Sequence, residues 1–156
     1  MSIRLRSYED DDLPQVMIWF AQEHVRQWFE PLSARLFEMQ HRHDQYAYMR
    51  HRIILAQETP IGFCQHYAYW LSGEIWHGNI PPEGTYSIDY LIGETDYLHK
   101  GLGTETIRLL EAEIRDQPEA KRIIVQPETE NHASCGALLS AGFQYNEENR
   151  LYLLEL

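Results

Sequence analysis

The sequence predicts an α/β fold in which helices cover both faces of a mixed β-sheet. The first observation is the order of the hydrophobic patterns, which alternate between strand-like and helix-like stretches as β-α-α-β-β-β-α-β-α-β. The second is the length of 156 residues, which with 44% hydrophobic and 24% charged residues is typical of one globular domain. The third is that no apolar run approaches the ~20 residues that cross a bilayer as a helix. We therefore expect a single domain over residues 1–156.

The first part of the chain predicts one strand followed by helices. Residues 3–6 alternate apolar and polar side chains, which indicates a short strand. Acidic residues at 9–12 are suitable N-caps for a helix that has Pro14 in its first turn. Residues 23–50 are mostly helical in composition, and Pro31 interrupts them. We therefore expect two helical segments before the sheet continues.

The middle of the chain predicts three consecutive strands. A turn with Pro60 and Gly62 separates the first two, and a longer loop that contains Gly and Pro precedes the third. The predicted strands cover residues 51–56, 61–70 and 86–92, and the loop covers residues 71–85.

The last part of the chain predicts two helices and two strands. A loop with two glycines, at residues 93–104, leads into a helix whose apolar residues recur on one face and which ends before Pro118. A strand at residues 121–126, a short helix of small residues at 131–141 and a strand at 150–156 complete the order.

The chain is strongly acidic. It has 13 Lys and Arg residues against 24 Asp and Glu residues, which gives a formal net charge of −11. This balance disfavours nucleic acid as a partner, because phosphate recognition depends on clustered basic residues. It favours a cationic small-molecule substrate, and a solvated acidic surface explains it equally well.

The cysteines and histidines indicate neither a disulfide framework nor a metal site. Cys64 and Cys135 are the two cysteines, and neither belongs to a C-x-x-C pair. The eight histidines lack Cys or carboxylate partners at zinc-ligand spacing. The N-terminal residues enter a polar segment directly, which is not the pattern of a signal peptide. We therefore expect a reduced, cytoplasmic protein without a metal and without membrane association.

The densest motif is Lys100-Gly101-Leu102-Gly103-Thr104, between a predicted strand and a predicted helix. Glycines there let the backbone approach a ligand closely, and the free N–H groups of a helix N-terminus bind anions such as a pyrophosphate. The spacing is neither a Walker loop nor a full G-x-G-x-x-G. Taken alone, the motif is also explained by a tight turn with close helix packing.

The pattern around this motif resembles the GNAT superfamily of N-acetyltransferases. In that family a strand, a loop of the form Q/R-x-x-G-x-G/A and a helix hold the pyrophosphate of acetyl-CoA, and a later helix that starts at Asn and ends in Gly-Phe flanks the pantetheine. Residues 86–104 match the first part, and Asn131 and Gly142-Phe143 match the second. Leu98 stands where the family has Gln or Arg. The resemblance implies a central, mostly antiparallel sheet and acetyl-CoA as co-substrate.

Within the superfamily the chain is similar to the aminoglycoside 6′-N-acetyltransferases. The segments that carry this likeness are residues 24–29, 60–65, 88–92 and 100–104. The likeness implies acetyl transfer to a primary amine of an aminoglycoside-like cation by direct attack, and with it antibiotic resistance. Siderophore-pathway acetyltransferases share parts of the signature, so a siderophore precursor or a peptide amine is an alternative acceptor. A CoA-binding module without catalysis is a third possibility, because Leu98 departs from the family pattern.

The likeness places the catalytic Asp of the aminoglycoside enzymes at Asp89. A carboxylate there can take the proton of the acceptor ammonium and bind the cation before transfer. Glu94 is the fallback base. The family's usual acid, a tyrosine seven residues after the Asn, falls at Leu138, which has no proton to give. Tyr145, Ser134 or solvent would then protonate the leaving thiolate.

The resemblance also assigns the other residues of the site. A backbone N–H at Leu91 or Ile92 would polarise the thioester carbonyl. The residues expected to bind acetyl-CoA are Leu91, Ile92, Leu98, His99, Lys100, Gly101, Leu102, Gly103, Thr104, Asn131 and Ser134. Those expected around the acceptor are Trp28, Tyr67, Glu74, Trp76, Glu83 and Asp89. Aromatic rings and carboxylates together suit a polycationic sugar. Whether the protein is a monomer or a homodimer stays open.

Overall fold

The computed structural model describes residues 2–29 and 31–156, which form a seven-stranded sheet covered by helices. The strands are β1 (Ile3–Ser7), β2 (Met49–Ala56), β3 (Thr59–Ala68), β4 (Thr85–Ile92), β5 (Arg122–Val125), β6 (Gln144–Asn146) and β7 (Leu151–Glu155). The α-helices are α1 (Leu13–Ala21), α2 (Glu23–Arg26), α3 (Leu32–Gln40), α4 (Leu102–Arg115) and α5 (His132–Ser140). No helix of the described residues has the length and apolar composition needed to cross a membrane.

The sheet is mixed and mostly antiparallel. Its strand order is β1-β2-β3-β4-β5-β7-β6. β4 and β5 run parallel, and the other neighbouring strands run antiparallel. The α/β class predicted from the sequence is therefore confirmed.

Two hydrophobic clusters lie on opposite faces of the sheet. Under α4 and α5, the cluster includes Ile54, Cys64, Ile88, Ile107, Leu110, Ile114, Ile123 and Leu138. Under α1 to α3, it includes Val16, Trp19, Phe20, Val25, Met39, Leu55, Phe63 and Leu91. Successive side chains of a strand point to opposite faces, which explains why neighbours such as Ile54 and Leu55 belong to different clusters.

The sheet opens between β4 and β5. Within the described residues the two strands pair at two positions, Thr85 with Arg122 and Tyr86 with Ile123. β4 then continues to Ile92 with β3 as its neighbour. The edge of β4 that faces away from β3 is therefore unpaired beyond Tyr86, and a cleft forms there.

Alternation along β4 determines which of its amides face this cleft. The Gly93 N–H donates to the Ile61 carbonyl oxygen at 2.7 Å, so Gly93 faces the neighbouring strand. Backbone groups of an antiparallel strand alternate in direction, so the Leu91 amide also points to β3. The amides of Tyr90 and Ile92 point to the open edge.

A partly buried ion network holds α4 against the sheet. Glu113 of α4 accepts from His66 Nε2 of β3 at 2.9 Å and from Arg52 Nε of β2 at 3.1 Å. Burial alone would raise the pKa of Glu113, but the hydrogen bond from His66 and the charge of Arg52 outweigh it and lower the pKa. The carboxylate is therefore ionised and ties the helix that follows the glycine motif to two strands.

Two elements differ from the prediction. Helical composition was expected to continue to residue 50, yet residues 41–48 form consecutive turns and α2 spans four residues. The turn is stabilised locally, because Asp44 accepts from the Gln45 N–H and from His41 Nδ1. The three-residue strand β6 was not predicted, because so short a segment has too little hydrophobic alternation to be recognised.

Candidate active site

The opening of the sheet contains a cleft of about 920 Å³. It is bounded by β4, by the loop and first turn of α4, by α5, by the α2 region and by the loop after β3. The predicted residues that line it are Trp28, Tyr67, Glu74, Trp76, Asp89, Leu91, Ile92, Leu98, His99, Gly101, Leu102, Gly103, Thr104, Asn131 and Ser134. The structure therefore brings most of the predicted cofactor and acceptor residues into one cavity.

Glu83 and Lys100 do not line this cleft. Glu83 precedes β4, its side chain is exposed, and its carbonyl oxygen accepts from Arg122 at 3.0 Å. Lys100 is exposed, and its Nζ lies 5.7 Å from the centre of the Tyr97 ring. Tyr97 itself lines the cleft, so Lys100 lies beside the opening while Glu83 lies away from it.

The turn before α4 presents free N–H groups to the cleft. Gly101 is the N-cap with φ of 75°, a left-handed conformation that glycine adopts without strain. The first backbone hydrogen bond of the helix joins the Glu105 N–H to the Gly101 carbonyl oxygen four residues earlier, at 3.2 Å. The N–H groups of residues 102–104 lie in the first turn, where a helix offers no backbone acceptor to its own N–H groups. They are therefore available to an anion.

Gly103 has no packing reason to be glycine. A Cβ at this position would meet the Cβ of Ala137 at 3.8 Å, which is an ordinary van der Waals distance. The close helix packing that could have explained this glycine is therefore not what requires it. The missing side chain leaves the first turn of α4 open to the cleft.

Two hydroxyl groups meet across the cleft between β4 and α5. Asn131 caps α5 and accepts from the Ser134 N–H at 3.2 Å. The Ser134 Oγ lies 2.5 Å from the hydroxyl of Tyr90, whose pKa is raised by burial. Tyr90 was not predicted as a site residue, because a tyrosine in an apolar strand carries no separate signal.

Neither the family's acid position, Leu138, nor the alternative donor Tyr145 lies in the cleft. Leu138 is fully buried in the cluster under α4 and α5. Tyr145 lies on β6, outside the cleft, with its ring 5.1 Å from that of Tyr152. Of the two side chains named as alternatives for the acid, Ser134 is the one that lines the cleft.

Asp89 faces the acceptor side of the cleft. Its Oδ2 accepts from Gln65 Nε2 at 2.8 Å and lies 3.6 Å from Arg35 Nη1. Register explains the first contact, because Asp89 and Gln65 are direct partners on β4 and β3. By contrast, Glu94 accepts from Trp19 Nε1 at 2.6 Å and does not line the cleft.

Glu74 connects the loop after β3 to the wall of the cleft. Its carboxylate accepts from the Tyr67 hydroxyl at 2.7 Å and from Trp76 Nε1 at 3.1 Å. Burial is the main cause of the raised pKa of Tyr67. Tyr67 is therefore a buried strand residue whose hydroxyl end still reaches the site.

Helix α3 adds two charged residues that the sequence did not reveal. Glu38 lies 3.8 Å from Arg35, and its pKa is raised to about 7, mainly by burial. Arg35 lowers this pKa, while the charges of Asp89 and Glu74 raise it. No local pattern in α3 marks these residues, because tertiary packing brings Arg35 to Asp89 from about a third of the chain length away, and Glu38 lies next to Arg35.

The arrangement has the parts that acyl transfer to an amine requires. An anion-binding helix end and an acidic pocket are joined by the open edge of β4. Amides at Tyr90 and Ile92 can donate to a carbonyl oxygen, and Asp89 can accept a proton from an ammonium. His24 Nε2 lies 2.9 Å from the Ile92 carbonyl oxygen, so the imidazole covers this backbone group at the end of β4.

A comparison with known solved structures shows the same fold. AAC(6′)-Ib in complex with coenzyme A superposes with a TM-score of 0.80 at 25% identity, covering 99% of this chain and 95% of that one. AAC(6′)-Ib in complex with coenzyme A and kanamycin gives 0.81 at 24% identity, with the same two coverages. The predicted fold and its mostly antiparallel sheet are therefore confirmed.

Comparisons of sequence extend the likeness to a family. The aminoglycoside N(6′)-acetyltransferase type 1 of Klebsiella pneumoniae is 30% identical over 92% of this chain and 74% of its own length. The family described as an acetyltransferase (GNAT) domain matches residues 9–151. That match covers most of the chain and includes every wall of the cleft. The chain therefore belongs to the GNAT family of acetyltransferases.

Proposed function

We propose that this acetyltransferase transfers the acetyl group of acetyl-CoA to a primary amine of an aminoglycoside-like cation. One observation carries the proposal: Asp89 lies in an acidic, aromatic pocket next to the open edge of β4. The 30% identical relative is an aminoglycoside N(6′)-acetyltransferase, which supports this acceptor class.

The cofactor half of the cleft supports acetyl-CoA at the glycine motif. We assign the pyrophosphate to the backbone of residues 98–104, with Lys100 adding charge from beside the opening. Asn131 and Ser134 would follow the pantetheine arm along α5. A chain with net charge −11 can bind this anion because the helix end supplies fixed N–H donors.

The acceptor half supports direct attack by the amine. Asp89 takes a proton from the ammonium, and the neutral nitrogen then forms a bond to the thioester carbon. As the carbon–sulfur bond breaks and its electron pair leaves with the thiolate, the nitrogen loses its second proton to solvent and becomes a neutral amide. The Ile92 amide faces the open edge and polarises the carbonyl, whereas the Leu91 amide points to β3. The proton for the leaving thiolate comes from the Ser134–Tyr90 hydroxyl pair or from solvent.

Aromatic and acidic residues would hold the rest of the acceptor. Trp28 and Trp76 offer faces for stacking on a sugar ring, and Glu74 offers a carboxylate to a second ammonium. Glu83 is left out of this set because it does not line the cleft. A cytoplasmic location and a monomeric or homodimeric state stay predictions of the sequence.

The test compares Asp89→Asn with Glu147→Gln, which removes the same charge from an exposed turn. Thiol release from acetyl-CoA is followed with kanamycin as acceptor, and acetyl-CoA binding is measured by calorimetry. We expect Asp89→Asn to lower kcat by about 10²- to 10⁴-fold with acetyl-CoA binding retained, because a positioned base contributes that much. Glu147→Gln should match the wild type.

Two outcomes would contradict the proposal in different ways. A wild-type protein that binds acetyl-CoA and acetylates no aminoglycoside would exclude the acceptor class. Turnover by a siderophore-type or peptide amine in the same assay would then identify the alternative. An Asp89→Asn variant with unchanged kcat would exclude Asp89 as the base.

A further inference from the structure

An arginine lies inside the acidic acceptor pocket. Arg35 lines the cleft from α3, and its side chain is 25% exposed. Its guanidinium lies 3.6 Å from the Asp89 carboxylate and 3.8 Å from that of Glu38. The Cζ atom lies 5.5 Å from the centre of the Phe29 ring, which supports the flat face of the group. Charge and stacking therefore hold the guanidinium next to the candidate base.

Among the residues that the structure describes, no hydrogen bond uses the N–H donors of this guanidinium. Both ion-pair distances are longer than a hydrogen bond, and among the described residues no acceptor lies within hydrogen-bond distance of Arg35. A guanidinium carries five N–H donors, and largely buried polar groups are normally paired. The Asp89 charge raises the pKa of Arg35 despite burial, so the group is cationic throughout the working range. Within the described part of the chain the donors are therefore available to an oxygen of the acceptor.

The charges around Arg35 restrict what that oxygen can be. Asp89, Glu74 and Glu38 surround it, so an anionic group of the ligand would meet more negative than positive charge. An ammonium in direct contact with the guanidinium has no lone pair to accept its N–H groups, so it would leave those donors unpaired and place two cations side by side. A neutral hydroxyl oxygen can accept from the guanidinium, and it is repelled neither by the carboxylates nor by the guanidinium.

We propose that Arg35 is a specificity-determining residue that hydrogen-bonds a neutral hydroxyl of the acceptor beside the reacting amine and excludes an ammonium there. The inference rests on the proposed function, since Asp89 must hold the reacting amine. The 3.6 Å between Asp89 and Arg35 suits an amine and a hydroxyl on adjacent or next-but-one carbons. The preferred acceptor is therefore an amino alcohol within a sugar.

The experiment uses three methyl glycosides that carry an amine on the terminal carbon. They differ at the ring carbon next to the one that carries the aminomethyl group, and this position bears a hydroxyl, a hydrogen or a second amine. Acetylation rates and calorimetric affinities are measured for the wild type, Arg35→Gln and Arg35→Lys. Arg26→Gln is the matched control, because Arg26 is exposed on α2 and does not line the cleft.

We expect the wild type to favour the hydroxyl sugar over the deoxy sugar by about tenfold in kcat/KM, as one hydrogen bond to a charged group provides. It should discriminate at least as strongly against the diamine. Arg35→Gln should erase the discrimination against the diamine, and Arg35→Lys should keep it while losing part of the hydroxyl preference. A purely structural role would lower all three rates together.

The outcomes separate this proposal from the function on which it rests. If Arg35→Gln keeps the wild-type ratios among the three sugars, the role of Arg35 is excluded and acetyl transfer to amino sugars stands. If the wild type acetylates neither kanamycin nor any of the three sugars, both proposals are overturned. If it acetylates kanamycin but none of the three, the preference assigned to Arg35 is overturned and the proposed function stands. Thermal unfolding of each variant shows whether lost activity reflects lost structure.

Discussion

At the scale of single residues, the site depends on how charges are partnered. Asp89 has a neutral donor in Gln65 and a cation in Arg35, and Glu38 lies behind that cation. The Glu38 Oε1 atom is buried without a hydrogen-bond partner among the described residues. A carboxylate in this position is costly to ionise, because burial removes its hydration and gives back only a distant ion pair. The stability of the fold should therefore depend on its protonation.

The stability advantage of Glu38→Gln over the wild type should increase as the pH rises. The folded pKa of about 7 lies above the ordinary value of 4.5, so ionisation of Glu38 opposes folding between those values and fully above them. The gain of Glu38→Gln over the wild type in free energy of unfolding should grow by roughly 1–3 kcal/mol between about pH 5 and about pH 8.5. Urea unfolding of both proteins at the two pH values measures it.

Glu147→Gln provides the control for this measurement, because its side chain is exposed. Its stability relative to the wild type should change by less than about 0.5 kcal/mol over the same range. An identical pH dependence for the wild type and Glu38→Gln would show that Glu38 ionises as it does in the unfolded chain.

At the scale of elements, strand β4, the glycine turn and helix α4 form one functional unit. The turn needs Gly101 for its left-handed backbone, but Gly103 stands in regular helix with room for a side chain. The ion network at Glu113 fixes the far end of the same helix to β2 and β3. The backbone conformation therefore requires glycine at position 101, whereas at position 103 the fold would accept a side chain and the proposed ligand would not.

Replacing Gly103 by Ala should stabilise the fold and weaken acetyl-CoA binding. Alanine in a helix is favoured over glycine by about 0.5–1 kcal/mol, and no neighbour blocks its Cβ. If the pyrophosphate lies against this turn, the methyl group should raise the KM for acetyl-CoA by roughly tenfold, about 1.4 kcal/mol. Thermal unfolding and steady-state kinetics report the two effects separately.

Gly101→Ala is the contrasting variant. Its φ of 75° strains an alanine by about 1–2 kcal/mol, so this variant should lose stability. If Gly103→Ala instead binds acetyl-CoA as tightly as the wild type, the cofactor phosphates do not contact the first turn of α4.

At the scale of the whole molecule, the proposed function requires one opening in the sheet to bind two ligands of opposite charge. The acidic pocket opens beside a helix end, and the net charge of −11 surrounds both. Long-range attraction acts on a polycation, while the anionic co-substrate depends on short-range N–H donors. The two ligands should therefore respond differently to salt.

Raising the ionic strength from about 0.05 to about 0.5 M should raise the KM for kanamycin several-fold. The KM for acetyl-CoA should stay the same or decrease. Screening weakens the attraction of the acidic surface for the polycation and also its repulsion of the anion. Initial rates in sodium chloride, with the second substrate saturating, measure both constants. A KM for kanamycin that does not depend on salt would show that the acidic excess has no part in capturing the acceptor.

The sequence alone determined those features that depend on neighbouring residues. Alternation in β1, the apolar stretch of β4, the proline that interrupts the helical stretch before α3, and the glycine turn before α4 are short-range patterns, and they predicted these elements correctly. The motif around Gly101 and Gly103 also identified the family. Residues 41–48 were predicted wrongly, because side-chain hydrogen bonds at Asp44 outweighed helical composition.

The surroundings of Asp89 depend on tertiary packing and could not be predicted from local patterns. The end of pairing between β4 and β5, the removal of Glu83 from the site and the approach of Arg35 and Glu38 to Asp89 join segments that are far apart in the chain. Such contacts depend on strand register and helix packing, which no local pattern encodes. The acidic chain and its glycine motif thus favoured a cationic acceptor and an anionic co-substrate, and the packing of α3 against the sheet put Arg35 beside Asp89.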